Sequence, residues 1–360
     1  MKIPINIPAI DKEEIREVNK VLSEKSLTSA SFNGGKQVQQ FEKLLSKFVK
    51  SKFAVAVNSG TAALQASLYA IDIKPGDEVL VPSFTFVATA NSVKSVGAKP
   101  VFVDILKSNY TIDPSDLKKK ITRRTKAIIP VHLYGHMAYM DEILEIAKKK
   151  HIKIIEDASQ SLGSKLSGKH SGTFSHLGCF SMYAGKVITS GEGGAIITND
   201  KKLFEKLKQI RNHGLSKNNL TTRFGLNLRL SEISATIGKI QMRKLPHLLN
   251  QRRKNAKALT EILEHSDIIL PEPRKNEIVN WYLYTIAMKS RDKAMKKLNA
   301  SGIGARVYYS PPVHKTPYYK TRLRLANTEW AASHVMSLPV HPNVRNQDLV
   351  RMKNILLGRN

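Results

Sequence analysis

The sequence predicts an α/β fold: a large domain on a mostly parallel sheet with helices on both faces, then a smaller C-terminal α+β domain. Three observations predict it. From about Phe53 to Asp200, short β-branched or apolar runs alternate with helical stretches. Those runs are apolar along nearly their whole length, the pattern of strands covered on both sides. Around Pro246 the alternation ends, and a long polar-faced helical stretch leads into a different pattern. The expected division is residues 1–245, with an N-terminal helical arm, and residues 246–360.

Residues 1–45 read as mostly helical, interrupted by the irregular stretch Ser29-Ala30-Ser31-Phe32-Asn33-Gly34-Gly35. Phe53 to Val57 reads as the first strand, and Thr61 to Ala70 as a helix with Leu64 and Leu68 on one face. The turn Pro75-Gly76-Asp77 precedes a strand at Glu78 to Val81. Ala88 to Val96 is helical by pattern; Pro100 to Asp104, Ala127 to Val131 and Lys153 to Asp157 are further strands. Asp141 to Ala147 reads as a helix closed by Lys148, Lys149 and Lys150, where cations suit the negative end of the helix dipole. Gly194 to Thr198 ends the series at the turn Asn199-Asp200. Beyond Pro246, Leu248 to Leu263 is helical, Pro271-Glu272-Pro273 crosses between domains, and Trp281 to Ile286 is a strand.

Composition bounds the function. An apolar content of 41% over 360 residues is that of a folded, soluble protein with a sizeable core. No run approaches the roughly 20 apolar residues of a membrane helix, and the N-terminus lacks the apolar core of an export signal. The expected compartment is the cytoplasm. The single cysteine, Cys179, excludes an internal disulfide framework and reads as small buried filler. Lys and Arg number 58 against 29 acids, a net charge of +29. The basic residues lie in short dispersed clusters with no nucleic-acid-binding motif, so the excess reads as surface bias or attraction of an anionic substrate.

In a sheet of this kind ligands gather beyond the carboxyl ends of the strands, where Asn58-Ser59-Gly60, Pro82-Ser83-Phe84 and Asp157 converge. Asp157 ends an apolar strand, where an unpaired carboxylate is costly. Lys186 follows 29 positions later, in Phe180-Ser181-Met182-Tyr183-Ala184-Gly185-Lys186 before Ser190-Gly191-Glu192-Gly193-Gly194. This is what pyridoxal phosphate chemistry needs. The acid keeps the pyridine nitrogen protonated, and the lysine carries the cofactor as a Schiff base and later moves the proton. The plainer alternative for Asp157 is an ion pair with one of the many lysines. Gly60-Thr61 opens a helix directly after a strand, so free amides, the helix dipole and the Thr61 hydroxyl suit a phosphate; an ordinary helix cap is the alternative. Ser181 reads as a second phosphate donor or a turn residue. Gln160 reads as a partner for the ring hydroxyl or a cap for Ala158 onward. Phe86 stacks on the ring or joins the core. The glycines at 191–194 precede a strand, which argues against a dinucleotide fold. No metal spacing is evident: His132 and His136 lack the Glu of a zincin helix.

These segments together resemble the DegT/StrS family of nucleotide-sugar aminotransferases. The resemblance rests on Val57-Asn58-Ser59-Gly60-Thr61-Ala62-Ala63-Leu64, Val81-Pro82-Ser83-Phe84-Thr85-Phe86-Val87-Ala88-Thr89, Glu156-Asp157-Ala158-Ser159-Gln160, and Lys186 with Gly191-Glu192-Gly193-Gly194. Later matches include Gly225 to Glu232 and Tyr309-Ser310-Pro311-Pro312-Val313-His314, and all run in the family's order. The resemblance implies an aspartate-aminotransferase type fold, with a seven-stranded sheet and a small C-terminal domain. It implies Lys186 as the Schiff-base lysine, Asp157 at the pyridine nitrogen, Phe86 on the ring, Gln160 near the ring hydroxyl, and Gly60, Thr61 and Ser181 around the phosphate. Asn227 matches a residue reaching the phosphate from a neighbouring subunit, so a homodimer with shared active sites is expected. Tyr309 and His314 match the sugar-nucleotide side. The sequence departs from the family at Gly185 and Val187, where Thr and Asn are usual, and the stretch before Gly35 is about five residues longer than usual, a candidate substrate-side loop.

The implied reaction is transamination: L-glutamate as amino donor, a UDP- or dTDP-linked 6-deoxy keto-sugar as acceptor, and an amino sugar as product. Two alternatives stand beside it. A pyridoxal phosphate-dependent sugar dehydratase would carry histidine in place of Lys186. A non-catalytic regulatory protein binding the cofactor or nucleic acid would have no need of the Lys186–Asp157 pair.

Overall fold

The computed structural model describes residues 2–358. The first five strands are β1 (Phe53–Val57), β2 (Glu78–Pro82), β3 (Lys99–Val103), β4 (Thr125–Ile128) and β5 (Lys153–Asp157). A short hairpin, β6 (Lys165–Leu166) and β7 (Lys169–His170), leads to β8 (Leu177–Ser181) and β9 (Gly194–Thr198). Without the hairpin, these form one seven-stranded sheet in the order β1-β9-β8-β5-β4-β2-β3. All pairings are parallel except those of β9, which runs antiparallel to β8 and β1.

Alternation along the strands decides the layers. Val55, Val57, Val79, Val81, Ile155, Cys179 and Ile196 face a core completed by helices α3 (Gly60–Ala70), α4 (Ala88–Ser95) and α7 (Lys201–Arg211). Ala54, Ala56, Phe180, Ala195 and Ile197 face the other side, against α2 (Lys36–Val49) and the start of α8 (Glu232–Leu263). Leu80, Ile128 and Ile154 extend that side under α5 (Pro114–Lys120) and α6 (Met140–Lys150). The first helix, α1 (Lys12–Ser23), starts at a capping box formed by Asp11 and Glu14 and is tied to α8 by Lys244, whose Nζ lies 2.7 Å from Glu14 Oε2. Cys179 is fully buried, with its Sγ 3.2 Å from Ser67 Oγ, as its apolar setting predicts.

Three elements differ from expectation. Leu177–Ser181, around the buried Cys179 and outside the strands expected from the sequence, is an interior strand of the sheet, β8. Helix α8 starts at Ser231, whose Oγ accepts from the Ser234 amide, and runs 32 residues straight through Pro246. An internal proline costs a helix about 3 kcal/mol. Leu245, Leu248 and Leu249 beside it are all buried, each worth roughly 1.5–3 kcal/mol, so packing outweighs the lost hydrogen bond. Leu245, Leu248 and Leu249 all join the large-domain core, and the helix changes packing partner only by Ala256, so the division at 245/246 falls inside the helix and ahead of that change. Finally, Trp281 has φ of 52°, which an extended strand excludes, and the strand begins later, at Tyr284.

The C-terminal half of α8, through Ala256, Leu259 and Leu263, packs on an antiparallel pair that follows the short β10 (Glu277–Ile278): β11 (Tyr284–Ala287) and β12 (Val335–Leu338). Leu298 of α9 (Arg291–Ala300) and Met352 of α11 (Asn346–Leu356) complete that core, with α10 (Ala326–His334) between them in sequence. The N-terminal segment crosses to this region: Ile3 bridges Ile303, and His341 Nε2 lies 3.0 Å from the Pro4 carbonyl. No helix among the described residues is long and apolar enough to cross a membrane.

Candidate active site

The ends of β1, β5 and β8 and the start of β9 meet at one edge of the sheet, because β9 alone runs backwards. Gly194, the first residue of β9, pairs with both Val57 and Ser181. Its position explains its identity: a Cβ there would lie 2.2 Å from the Ser59 carbonyl oxygen and 2.8 Å from the Gly60 nitrogen. Only glycine lets β9 reach the start of α3. Ser59 caps that helix, its Oγ accepting from the Ala62 amide at 3.0 Å, which leaves the amides of Gly60 and Thr61 without intrahelical acceptors. Gly60 is itself tight, since a Cβ would come within 2.8 Å of Ser181 Cβ. The result is a cradle of amides and hydroxyls suited to a phosphate.

Asp157 closes β5, 5% exposed. Its Oδ2 accepts from Thr89 Oγ1 at 2.8 Å and its Oδ1 from the Ser159 amide at 3.2 Å. Thr89 spends its one proton on Asp157, so the Thr85 hydroxyl, 3.1 Å away, donates to Thr89. Each carboxylate oxygen accepts one hydrogen bond and so retains a free lone pair, the acceptor a protonated ring nitrogen requires, and Asp157 lines the cavity. Its neighbour Glu156 points the other way, fully buried, and accepts from the amides of Gly172 and Ser175, the Ser175 hydroxyl and His132. His132 Nδ1 accepts from the Ala138 amide, so Nε2 carries the proton given to Glu156.

Lys186 Nζ lies 4.7 Å from the centroid of the Tyr282 ring. Burial pushes the amine down to about 8, partly opposed by the Asp157 carboxylate. A minor fraction, about a tenth, is therefore an uncharged nucleophile near neutrality, far more than for an ordinary lysine. Its loop is held from behind. Asn6 Nδ2 donates to the carbonyls of Gly185 and Lys186 at 2.7 and 3.0 Å, and Asn6 Oδ1 accepts from Arg252 Nη2 at 2.5 Å.

One cavity of about 820 Å³ joins these groups. Gly60, Thr61, Phe86, Asp157, Gln160, Ser181, Lys186 and Tyr309 all line it. Phe86 is 55% exposed, an open aromatic face above the cavity floor rather than core. Gln160 caps nothing; its Oε1 accepts from the Tyr134 amide and its Nε2 donates to the Tyr309 hydroxyl at 3.1 Å.

The remaining expectations lie elsewhere. His314 does not reach the cavity: it is fully buried, Nδ1 2.6 Å from Ser83 Oγ and Nε2 3.3 Å from Glu329. Ser83 follows β2 and draws the ring into the domain core. Asn227 is exposed outside the cavity of its own chain, its carbonyl accepting from Asn58 Nδ2 at 3.3 Å. The Ser29–Gly35 stretch docks on α7, where Arg211 Nη2 donates to the Phe32 carbonyl and Lys208 covers the Phe32 ring at 4.3 Å. It does not line this chain's cavity. Of the two family departures, Gly185 lines the cavity while Val187 turns into the core. Asn6, Thr89, Tyr282 and Arg306 escaped the sequence reading. Thr89 alone left a signal, its spacing of four from Thr85 at the start of a helix.

Comparison with known proteins agrees with this fold. The model of the DegT/DnrJ/EryC1/StrS aminotransferase family matches residues 8–356. A UDP-N-acetyl-3-dehydro-α-D-glucosamine 3-aminotransferase of Acidithiobacillus ferrooxidans is 36% identical, covering 92% of this chain and 91% of that protein. A GDP-perosamine synthase of Caulobacter vibrioides is 34% identical over 98% of this chain and 96% of its own. Among solved structures, that of S. venezuelae DesV in complex with a ketimine intermediate superposes with a TM-score of 0.92 at 33% identity, covering 98% of both chains.

Proposed function

Because the chain belongs to the DegT/DnrJ/EryC1/StrS aminotransferase family, a family of sugar aminotransferases, we propose that it uses pyridoxal phosphate to carry the amino group of L-glutamate to the ketone of a nucleotide-linked sugar. In this reading the acceptor is a UDP- or dTDP-linked 6-deoxy hexose with its ketone at C3 or C4. The observation that carries the reading is the meeting of Lys186, Asp157 and the Gly60–Thr61–Ser181 cradle in one cavity.

The cofactor supplies an electron sink for the bond broken at the donor's Cα. The chain supplies everything else. Asp157, steadied by Thr89 and Ser159, faces the ring nitrogen and keeps it protonated. The α3 amides with the Thr61 and Ser181 hydroxyls take the phosphate, and the exposed Phe86 ring covers the cofactor's face. Gln160 stands at the ring hydroxyl together with Tyr309. Lys186 would hold the cofactor covalently, and its free, uncharged amine would be the group that moves the proton from the donor's Cα. Asn227, exposed and not part of its own chain's cavity lining, serves the phosphate site of a second copy in a homodimer. His314 braces the Ser83 turn and touches no substrate. Lys186 also argues against the dehydratase reading.

The test is the absorption spectrum of the protein with pyridoxal phosphate before and after L-glutamate. A visible band that forms on loading and vanishes with glutamate supports the reading. A protein that forms no such band has no cofactor lysine, and the reading fails. A band indifferent to glutamate removes glutamate as donor.

A further inference from the structure

Once Lys186 and Asp157 are committed to the cofactor, two charged side chains remain in the cavity wall: Glu192 and Arg306. Arg306 follows α9 on a segment whose backbone is fixed. Its amide donates to the Ser337 carbonyl at 3.2 Å and its carbonyl accepts from the Ser337 amide at 2.7 Å, which adds it to the edge of β12. The Cα therefore has a set position, while the guanidinium has no hydrogen bond or ion pair among the described residues. The other arginines near this region are spent on structure. Arg252 donates to the carbonyls of Trp281 and Tyr282, and Arg291 to those of Ala332 and Val335. Arg306 is also the only guanidinium lining the cavity among the described residues. Its charge reaches the Tyr308 hydroxyl, where it offsets part of the upward push of burial. With Ile5, Asn299, Gly304 and Tyr308 it forms the part of the cavity lining supplied by the N-terminal segment and the C-terminal region, while the large domain supplies the cofactor cradle.

We propose that Arg306 is the anion anchor of the substrate side of this cavity, pairing its guanidinium fork with carboxylate or phosphate oxygens of the incoming substrate. The inference rests on the aminotransfer reading, in which both substrates are anions: a dicarboxylic amino acid and a nucleoside-diphosphate sugar. A guanidinium matches either group with two parallel hydrogen bonds. A free arginine in a strongly basic protein is ordinarily just solvated surface. A pinned backbone, a cavity location and the absence of any competing cation in that wall set this one apart.

The test compares Arg306→Gln with the wild type, with Arg306→Lys as the charge-only control. Pyridoxal phosphate loading, read by the visible band, should be the same in all three. If a carboxylate is the ligand, the L-glutamate concentration that half-converts the band rises about 10- to 100-fold in Arg306→Gln, the span expected for a lost charged hydrogen-bond pair. If a diphosphate is the ligand, calorimetric binding of UDP, dTDP and GDP weakens by a similar factor while the glutamate titration is unmoved. Partial recovery in Arg306→Lys separates charge from fork geometry. An Arg306→Gln protein matching the wild type in both titrations overturns the inference and leaves the aminotransferase reading standing. A wild type that never loads cofactor sinks that reading instead, and the calorimetric arm still decides whether Arg306 binds a diphosphate.

Discussion

Asn6 and Lys186 are 180 positions apart, yet the Asn6 side-chain amide donates to the Lys186 carbonyl at 3.0 Å. The same amide holds the Gly185 carbonyl, and Arg252, fully buried, locks the Asn6 oxygen from the far side. The N-terminal segment thus fixes the backbone that carries the reactive amine.

Replacing Asn6 with Ala should loosen the loop without emptying the cavity. Two part-buried carbonyls lose a donor, a cost of about 1 kcal/mol in unfolding free energy. Misplacement of the Lys186 amine should lower kcat by roughly 10- to 100-fold while KM moves little. Unchanged turnover in Asn6→Ala would remove the clamp from the account.

The lowered Lys186 pKa gives a pH signature. Only the uncharged amine attacks the cofactor's aldehyde, and burial brings its pKa to about 8. The second-order rate of pyridoxal phosphate loading should therefore climb as pH rises and level off above about 8. Because the Asp157 charge raises this pKa, Asp157→Asn should shift the midpoint lower still. A wild-type midpoint near the ordinary lysine value of 10.5 would contradict the burial seen here.

Glu156 and Asp157 are adjacent but should fail differently. Glu156→Gln puts an amide opposite four donors in a fully buried site, costing about 3 kcal/mol or more in stability, and protein that remains folded should load cofactor normally. Asp157→Asn should fold and load, yet lose most of its turnover because the ring nitrogen loses its charged partner. Thermal unfolding alongside single-turnover kinetics separates the two. Equal behaviour of both variants would mean the division of labour is misread.

Gly194→Ala should be tolerated poorly despite the small change. The added methyl meets backbone atoms of Ser59 and Gly60, not flexible side chains. Strain of this kind costs roughly 1–3 kcal/mol, and relieving it must push α3 away from β9, spoiling the phosphate cradle. We expect a lower Tm together with at least about tenfold weaker cofactor affinity, near 1.4 kcal/mol. A loss of stability with cofactor affinity intact would place the strain outside the cradle.

Much of this was legible in the sequence because it is local. Strand patterns ending in Asn58-Ser59-Gly60 and in Asp157, and a glycine-rich turn after Lys186, put the ends of consecutive elements at one sheet edge. Proline misled at 246, where buried leucines on both sides override a local penalty. Trp281 misled as well: its apolar character suggests a strand, while its backbone is left-handed. The family resemblance puts His314 on the sugar-nucleotide side, whereas in the folded chain Ser83 and Glu329 occupy both ring nitrogens. Asn6, Tyr282 and Arg306 were invisible for a different reason. Their importance exists only after chain segments far apart in sequence have packed together, and no local periodicity encodes that.

The most direct test of the central claim is reductive trapping of the loaded protein with borohydride, followed by peptide mass spectrometry. A single cofactor-sized mass addition on the peptide containing Lys186, absent from Lys186→Ala, is the predicted result. Labelling of a different lysine, or an unlabelled Lys186 in protein that visibly holds the cofactor, would contradict it.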